Sequence, residues 1–454
     1  MVNFFISAAH KSSGKTSISI GLCAALRADG LSVQPFKKGP DYIDPLWLGL
    51  ASGRPCYNLD FYTMSVAEVQ MQYQLHAQAC DVAIIEGNKG LYDGLDLNGS
   101  NSNAALAKQL KMPVILVLDA RGMTRGIAPL ILGYQAFDPE IQIVGVILNK
   151  LGGARHESKL RAVIEHYTDI DVLGAVHYDP KIEIDERHLG LIPSNEHALS
   201  SAMIAQLATA VRSQVDCERI KSLCAHTHGA PVSLHVSTPQ YQHLSVAIPR
   251  DAAFGFYYPG DLEAFHAAGV TIRYFDALHD AHLPAVDCLF VGGGFPETQM
   301  AALSANVSLR QDIARQIQQG LPTYAECGGL MYLSKKVVWA EQTQAMVGVI
   351  PGTTVMCEKP QGRGYVALKE SEAFPWPSDG PGGVVYAHEF HYSKLCLDEP
   401  VEYAYEVLRG SGIDGTHDGL MVHNVLASYT HLRQVEQNPW VDRFLRFVDQ
   451  HVKC

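Results

Sequence analysis

One cysteine stands where the local sequence would place a nucleophile. Residues 324–330 read YAECGGL, which predicts a strand, a sharp turn and a helix start, with Cys327 at the turn. The two glycines tolerate a tight backbone, and a helix N-terminus favours a thiolate over a thiol. A buried structural cysteine is the commoner fate of a single Cys. The Glu-Cys-Gly-Gly turn nevertheless favours a nucleophile, the thiol counterpart of the serine elbow of hydrolases.

A cysteine nucleophile needs a base and a site for the developing oxyanion. His431, within residues 427–432 (ASYTHL), is the leading candidate for the base, although an isolated His is more often a satisfied core residue. Residues 291–297 (VGGGFPE) end a predicted buried strand in a glycine turn. Backbone N–H groups of such a turn can point at an oxyanion, although a triple glycine alone is weak evidence.

A phosphate loop follows the first predicted strand. Residues 9–16 read AHKSSGKT and precede a predicted helix at 17–28, the context that a phosphate loop requires. Backbone N–H groups would surround the phosphates, Lys15 would reach the outer ones, and Thr16 would bind magnesium. Asn149, after a later strand, is placed to contact the adenine edge. The predicted nucleotide-binding residues are Ser12, Ser13, Gly14, Lys15, Thr16 and Asn149.

Carboxylates follow several predicted strands in the same half of the chain. Asp41 and Asp44 come after a predicted strand at 32–36. Glu86 closes the strand at 82–85, and Asp93 follows in the next loop. Such acids are often mere loop decoration. Because open parallel sheets bind ligands at the carboxyl ends of their strands, we interpret them as magnesium ligands or substrate-orienting groups.

Apolar runs alternate with amphipathic helical segments along both halves of the chain. The runs at 82–85, 114–118 and 143–148 are typical of fully buried strands, which indicates a parallel sheet covered by helices. A second alternation begins at residue 244. We therefore predict an α/β protein with a phosphate-loop domain at 1–212, a linker at 213–243 and a second α/β domain at 244–454.

Composition excludes several classes of protein. The 454 residues carry a formal net charge of −12, which argues against a nucleic-acid partner. No apolar run reaches membrane-spanning length and no signal peptide is indicated, so we expect neither a membrane partner nor export. The ten cysteines have no framework spacing, which fits a reducing cytoplasm.

Several stretches together resemble the cobyrinic acid a,c-diamide synthase family of glutamine-dependent amidoligases. The resemblance covers nearly the whole chain. The motifs that carry it are residues 33–37 (VQPFK), 39–45 (GPDYIDP), 90–94 (GLYDG), 187–191 (RHLGL), 256–259 (FYYP), 325–333 (AECGGLMYL) and 388–393 (HEFHYS). The family architecture implies a P-loop ATP-binding domain similar to dethiobiotin synthetase, then a class I glutamine amidotransferase domain.

The resemblance implies a reaction and a role for each matched residue. ATP and Mg²⁺ would activate the a and c acetate carboxylates of a macrocyclic tetrapyrrole as acyl phosphates, and glutamine would supply ammonia. The matched residues are Cys327 (nucleophile), His431 (base), Gly293, Gly294 and Gly328 (oxyanion site), Asp41, Asp44 and Glu86 (magnesium or phosphoryl transfer), and Tyr42 and Asp93 (near the tetrapyrrole carboxylate). The oligomeric state stays open, a homodimer included.

The chain departs from the family pattern at a few positions. Ala9 and Ser12 stand where glycines are usual, and Arg433 stands where a second histidine is usual. Leu48 replaces a histidine in the expected substrate loop, which would change the preferred ring. Amidation of sirohaem or sirohydrochlorin, linked to dissimilatory sulfite reduction, is therefore the alternative to cobyrinic acid.

Two further interpretations belong to other classes. A partitioning-type switch ATPase would also use a phosphate loop, but the place of its signature lysine holds His10, and it has no use for Cys327. An amidotransferase domain kept as an inactive scaffold is a third interpretation, and the intact pair of Cys327 and His431 argues against it.

Overall fold

The structure, a computed structural model, divides the chain into two compact units. It describes residues 1–182, 184, 186–187, 190–195, 200–225, 238–377 and 383–452. The first unit is Met1–Leu234 and the second is His235–Cys454. Residues 226–237, in the predicted linker, lie outside the described residues. Residues 188 and 189 of the family motif at 187–191 also lie outside the residues that the structure describes.

A parallel sheet forms the centre of the first unit. The strands are β1 Val2–Ala8, β2 Val33–Lys38, β3 Tyr57–Leu59, β4 Val82–Glu86, β5 Val114–Asp119, β6 Ile143–Leu151, β7 Asp171–His177, β8 Glu186–Arg187 and β9 Gly190–Leu191. Among the described residues, β3-β2-β4-β1-β5-β6-β7 form one seven-stranded sheet, while β8 and β9 pair with each other. The apolar runs predicted this sheet correctly, because strands covered by helices on both faces must be apolar throughout.

Helices connect these strands. They are α1 Lys15–Ala28, α2 Ile43–Ser52, α3 Val66–Ala77, α4 Asn103–Gln109, α5 Ile127–Phe137, α6 Ala154–Tyr167, α7 Ser200–Gln214 and α8 Cys217–Leu223. Ser65 and Ser102 cap α3 and α4 by accepting hydrogen bonds from the N–H groups of Glu68 and Ala105. Helix α8 lies inside the predicted linker at 213–243, and the division at 212 and 244 stays a prediction.

The second unit is built on a mixed sheet. Its strands are β10 Ser245–Pro249, β11 Phe254–Phe256, β12 Thr271–Phe275, β13 Cys288–Val291, β14 Gly293–Gly294, β15 Thr323–Glu326, β16 Ser334–Trp339, β17 Gln342–Ala345, β18 Ile350–Met356, β19 Gly362–Glu370, β20 Val384–His391, β21 Ser393–Leu397, β22 Glu402–Arg409, β23 His417–Val422 and β24 Val425–Ser428. In its described part, the largest sheet has nine strands in the order β12-β10-β13-β15-β24-β23-β22-β19-β20. Pairing is parallel from β12 to β24 and antiparallel from β24 to β20.

Aromatic packing anchors the helices of this unit. The helices are α9 Pro259–Ala267, α10 Met300–Ala305, α11 Val307–Gln318, α12 Gly328–Leu333 and α13 Trp440–Val452. Helix α13 buries Trp440, Phe444 and Val448, which recur at helical spacing. The ring of Trp440 lies 5.0 Å from that of Tyr324, which stacks on Phe290. This cluster fixes β15, the strand that leads to Cys327.

Two features of the described residues bear on the sequence predictions. No helix there is both long enough and apolar enough to cross a lipid bilayer. The nine cysteines that the structure describes are all free.

Candidate active sites

The segment predicted as a phosphate loop has the backbone conformation of such a loop. It joins the end of β1 to the start of α1, and Gly14 precedes α1 in the left-handed region at φ +88°. A Cβ atom at Gly14 would lie 2.1 Å from Nδ2 of Asn149. Only glycine suits this position, because it combines a positive φ with a close approach by a side chain.

Asn149 holds the phosphate loop from the side. Its Nδ2 donates a hydrogen bond of 2.9 Å to the carbonyl oxygen of Ser13. Lys150 adds a 3.1 Å bond from Nζ to the carbonyl oxygen of Ser12. The structure therefore gives the Asn149 amide a loop-holding contact that the sequence did not suggest, and its contact with adenine stays a prediction.

Lys15 is the buried cation of this loop. Its Nζ donates to the carbonyl oxygen of Lys89 at 2.6 Å. Burial, with a smaller contribution from the nearby charge of Lys37, lowers the pKa of Lys15 to about 8. The Lys15 ammonium group, which is predicted to bind the phosphates, thus contacts the Lys89 carbonyl group at the carboxyl edge of the sheet.

Lys37 is a second buried cation, and sequence reasoning assigned it no role. Its Nζ lies 2.5 Å from Asp44 Oδ2, 3.0 Å from Glu86 Oε1 and 3.7 Å from Asp41 Oδ2. Burial alone would lower the pKa of Lys37, but these carboxylates raise it well above its usual value. The signal that could have found it is strand pairing, because Lys37 lies opposite Glu86 in the β2–β4 register.

Oxygen atoms converge beside this cation. Thr16 Oγ1 donates to Glu86 Oε1 at 2.7 Å and approaches Asp44 Oδ2 at 3.3 Å. Glu86 Oε2 is buried with no hydrogen-bond partner among the described residues, and burial raises the pKa of this carboxyl. One or two carboxylates and a hydroxyl, completed by phosphates and water, suit Mg²⁺. Within the described ranges, however, no three His, Cys, Asp or Glu residues form a group able to hold a metal by themselves.

Asp41 has a structural contact as well as a place in this cluster. Its Oδ1 accepts hydrogen bonds from the N–H groups of Ile43 (2.9 Å) and Asp44 (3.2 Å), which fixes the first turn of α2. Burial and the charge of Asp44 raise the pKa of Asp41 to about 7. Asp41, itself a predicted magnesium ligand, therefore has one oxygen committed to the helix, and its magnesium role stays a prediction.

The predicted substrate residues are not all accessible. Asp93 closes its own turn by accepting from the N–H of Gly90 at 2.8 Å. Leu48 is 1% exposed in α2, and Tyr42, just before α2, is also buried. Leu48 packs inside this unit, and its role as a substrate contact stays a prediction that this burial does not support. The sequence could not show which side of α2 faces inwards.

Cys327 lies at a strained elbow, as its sequence context predicts. It separates β15 from α12, with φ 47° and ψ −98°. The turn is tight because a Cβ atom at Gly329 would lie 2.1 Å from the carbonyl oxygen of Val291. Cys327 is 7% exposed, and burial, with the charges of Glu297 and Glu326, raises the pKa of its thiol. Burial therefore opposes the thiolate that a helix N-terminus favours, and the thiolate stays a prediction.

The base and oxyanion candidates meet at the same edge of the sheet. Strands β13, β15 and β24 are neighbours, so the residues that follow them lie close together. A Cβ atom at Gly293 would lie 2.5 Å from Cε1 of His431, and one at Gly328 would lie 3.0 Å from the backbone nitrogen of Gly294. The structure thus brings His431 and all three predicted glycines to the elbow.

His431 is enclosed by two further residues that sequence reasoning did not assign. Its ring stacks on that of His388 with centroids 5.0 Å apart. The backbone N–H of His431 donates to the backbone carbonyl oxygen of His388 at 2.9 Å. Its Nδ1 lies 3.5 Å from Oε2 of Glu326, which is 1% exposed. A buried carboxylate beside a candidate base is typical of cysteine and serine nucleophile sites.

Both units match known sequence families. Residues 5–192 match the CobQ/CobB/MinD/ParA nucleotide binding domain, and residues 245–439 match the CobB/CobQ-like glutamine amidotransferase domain. A phosphate-loop unit followed by a cysteine-elbow unit defines the class of nucleotide-binding glutamine amidotransferases. The expected α/β fold with these two domains is confirmed.

Curated relatives specify the family. The chain is 45% identical to the cobyrinate a,c-diamide synthase of Magnetococcus marinus, with 98% of this chain and 96% of the relative covered. It is 39% identical to that of Methanosarcina acetivorans (95% and 92% covered) and 35% identical to that of Listeria monocytogenes serotype 4b (95% and 96%). The chain belongs to the cobyrinate a,c-diamide synthase family, and the predicted resemblance is confirmed.

Proposed function

We propose that this protein amidates the a and c acetate carboxylates of cobyrinate, with ATP as activator and glutamine as nitrogen donor. The observation that carries the proposal is the pair of built sites in one chain. Cys327 lies at a strained elbow with His431 beside it, and Lys15 lies in a glycine-dependent phosphate loop. Neither site alone explains the other, because a phosphate-loop ATPase needs no thiol and a glutaminase needs no nucleotide.

The first unit would perform the activation step. A carboxylate oxygen of the substrate attacks the γ-phosphorus of ATP, the bond to the β–γ bridging oxygen breaks, and ADP departs. The product is an acyl phosphate, whose acyl carbon is then attacked by ammonia to form the amide with loss of inorganic phosphate and a proton. Lys15 and the N-terminus of α1 would hold the phosphates. Thr16 and Glu86, with Asp44 beside them, would hold Mg²⁺, which would reduce the repulsion between carboxylate and phosphate.

The second unit would release ammonia. The sulfur of Cys327 attacks the side-chain amide of glutamine while His431 accepts the thiol proton and then donates it to the leaving nitrogen. A thioester and ammonia result, and water hydrolyses the thioester to glutamate. N–H groups at Gly294 and Gly328 would stabilise the oxyanion. Because the pKa of the buried thiol is raised, proton transfer to His431 has to accompany attack.

Cobyrinate is the preferred ring for two reasons. The three relatives above all carry the name cobyrinate a,c-diamide synthase. The argument for a sirohaem-type ring rested on Leu48 at the substrate surface, and Leu48 is buried. No contact in the described residues favours the sirohaem alternative, which becomes an outcome of the test.

Mass spectrometry tests the proposal. The purified protein is incubated with ATP, Mg²⁺, glutamine and either cobyrinic acid or sirohaem. We expect two carboxyl-to-amide conversions on cobyrinic acid and none on sirohaem. Conversion of sirohaem alone would overturn the proposal that cobyrinate is the substrate. Conversion of neither ring would overturn the proposed amidation activity.

A matched variant tests the division of labour. Cys327→Ala should abolish turnover with glutamine and keep turnover with ammonium salts, because the activation site needs only ammonia. His431→Ala should behave in the same direction. Equal loss with both nitrogen sources, in variants that unfold at the wild-type temperature, would contradict Cys327 as the nucleophile.

A further inference from the structure

We propose that Glu326, the residue just before the nucleophile, positions His431 and sets its tautomer. The inference rests on the proposed glutaminase reaction and names a residue that the sequence argument left without a role. A base that accepts a proton at one ring nitrogen needs the other nitrogen held as an N–H donor. The question is which group faces Nδ1 of His431.

The Glu326 carboxylate is fixed with one oxygen to spare. Its Oε1 accepts two hydrogen bonds, from the hydroxyl of Tyr324 at 2.7 Å and from the N–H of Leu432 at 2.8 Å. These donors come from β15 itself and from the segment that carries His431. Oε2 then lies 3.5 Å from Nδ1 of His431. The carboxylate is thus aimed at Nδ1 by contacts that do not involve the imidazole.

The fold explains why this carboxylate reaches the base. Strands β15 and β24 are parallel neighbours, with Glu326 opposite Ser428. The chain continues from Ser428 to His431 in three residues, so the imidazole returns to the end of β15. The N–H of Cys327 donates to the carbonyl oxygen of Ser428 at 2.7 Å, which fixes the nucleophile to the same pair of strands. The pairing of β15 with β24 therefore brings the nucleophile Cys327, the base His431 and the Glu326 carboxylate together.

Other titratable groups around His431 are differently placed. His388 stacks on its ring face and is itself in contact with the hydroxyl of Tyr258 at 3.3 Å. Arg433 lies over the ring of Tyr258, 5.1 Å from its centroid. Stacking on a ring face leaves the in-plane nitrogens untouched. Among these groups, Glu326 is the one whose carboxylate oxygen lies 3.5 Å from Nδ1.

The decisive variant is Glu326→Gln. The glutamine side chain can still accept from Tyr324 and Leu432, but its NH₂ group would now face Nδ1. Nδ1 would become an acceptor, the proton would move to Nε2, and the base would be lost. We expect glutaminase kcat to fall on the order of 10³- to 10⁴-fold, the size seen when a triad carboxylate becomes an amide, with the KM for glutamine changed only about threefold. Ammonium-dependent synthesis should remain.

The pH profile separates positioning from simple support. Without the carboxylate, attack depends on direct ionisation of the thiol, so the residual rate should continue to rise with pH where the wild-type rate is level. The matched control is Tyr324→Phe, which removes the hydroxyl contact to Oε1 and leaves Oε2 facing His431. Its glutaminase rate should stay within about tenfold of wild type, with an unaltered pH profile.

Each result decides the proposal. Wild-type kcat and pH profile in Glu326→Gln, with Cys327→Ala inactive towards glutamine, would show that Glu326 only anchors Leu432 and would overturn the inference. Glutamine use by Cys327→Ala would instead overturn the proposed function. If Glu326→Gln fails to fold, Glu326→Asp replaces it: a shifted pH profile supports positioning, and an unshifted profile overturns it.

Discussion

At the scale of single residues, the first unit is organised by charge burial. Lys37 is enclosed by the carboxylates of Asp44, Glu86 and Asp41. A buried cation without such partners would lose its proton or destabilise the fold by several kcal/mol. The acids that the sequence singled out as magnesium ligands therefore also neutralise a lysine. Any metal cation that binds beside Thr16 has to share the carboxylates of Glu86 and Asp44 with Lys37.

The lowered pKa of Lys15 predicts a pH limit on nucleotide binding. When the pH rises above the Lys15 pKa of about 8, the free protein loses the Lys15 charge. ATP binding must then restore this charge by taking up a proton. We expect ATP affinity to fall by up to about tenfold per pH unit above this value. Calorimetry in two buffers of different ionisation enthalpy measures both the affinity and the proton uptake. Constant affinity from neutral pH to well above the pKa, without proton uptake, would contradict the prediction.

The same shift has a consequence for stability. The folded-state pKa of Lys15 is below the ordinary value of 10.5, so between about 8 and 10.5 the unfolded chain holds the proton more tightly. Stability with respect to this group therefore rises with pH through that interval. Below a pH of about 8 both states are protonated, and the cost of burying the charge is fully present. ATP binding and folding thus respond to Lys15 in opposite directions.

At the scale of helices and strands, local patterns predicted what local physics determines. The buried runs of β4, β5 and β6, the phosphate loop before α1 and the elbow before α12 were all visible in the sequence. The contact between Glu326 and His431 was not, because it depends on strand register across about a hundred residues. The burial of Leu48 was missed for a related reason: helical periodicity shows an apolar stripe but not the partner that covers it.

The elbow predicts an unusual order of stabilities. At φ 47° and ψ −98°, Cys327 occupies a conformation that costs a non-glycine residue about 1–3 kcal/mol. Cys327→Gly should therefore unfold with a free energy about 1 kcal/mol higher than Cys327→Ala, although both lack the thiol. Chemical denaturation of the two variants measures the difference.

A neighbouring position provides the control for that order. Ala325 lies in the middle of β15, where it is buried in extended backbone. Ala325→Gly should lower the free energy of unfolding by about 0.5–1 kcal/mol, because glycine in a strand interior loses entropy and packing. If Cys327→Gly is also less stable than Cys327→Ala, the strain at the elbow is not relieved by glycine.

At the scale of the whole molecule, the two proposed reactions belong to separate units. Glu86→Gln, in the first unit, should lower synthesis with either glutamine or ammonium on the order of 10³-fold, because it removes a carboxylate from the proposed magnesium site. Glutaminase activity, measured as glutamate released, should persist. Coupled assays of ADP and glutamate on one preparation make the comparison. Near-normal synthesis would show that Glu86 serves only as the partner of Lys37.

The enclosed thiol of Cys327 has a consequence for damage by oxidants. Peroxide attacks the thiolate, and Cys327 is 7% exposed with a pKa raised by burial. The resting protein should therefore react slowly with peroxide or iodoacetamide. In the proposed reaction the thiol proton leaves as the sulfur attacks glutamine, so turnover exposes no free thiolate. Alkylation of Cys327 in the resting protein at the rate of an exposed thiol would contradict this. Burial of the thiol therefore both protects the sulfur from oxidants and keeps it protonated in the resting protein.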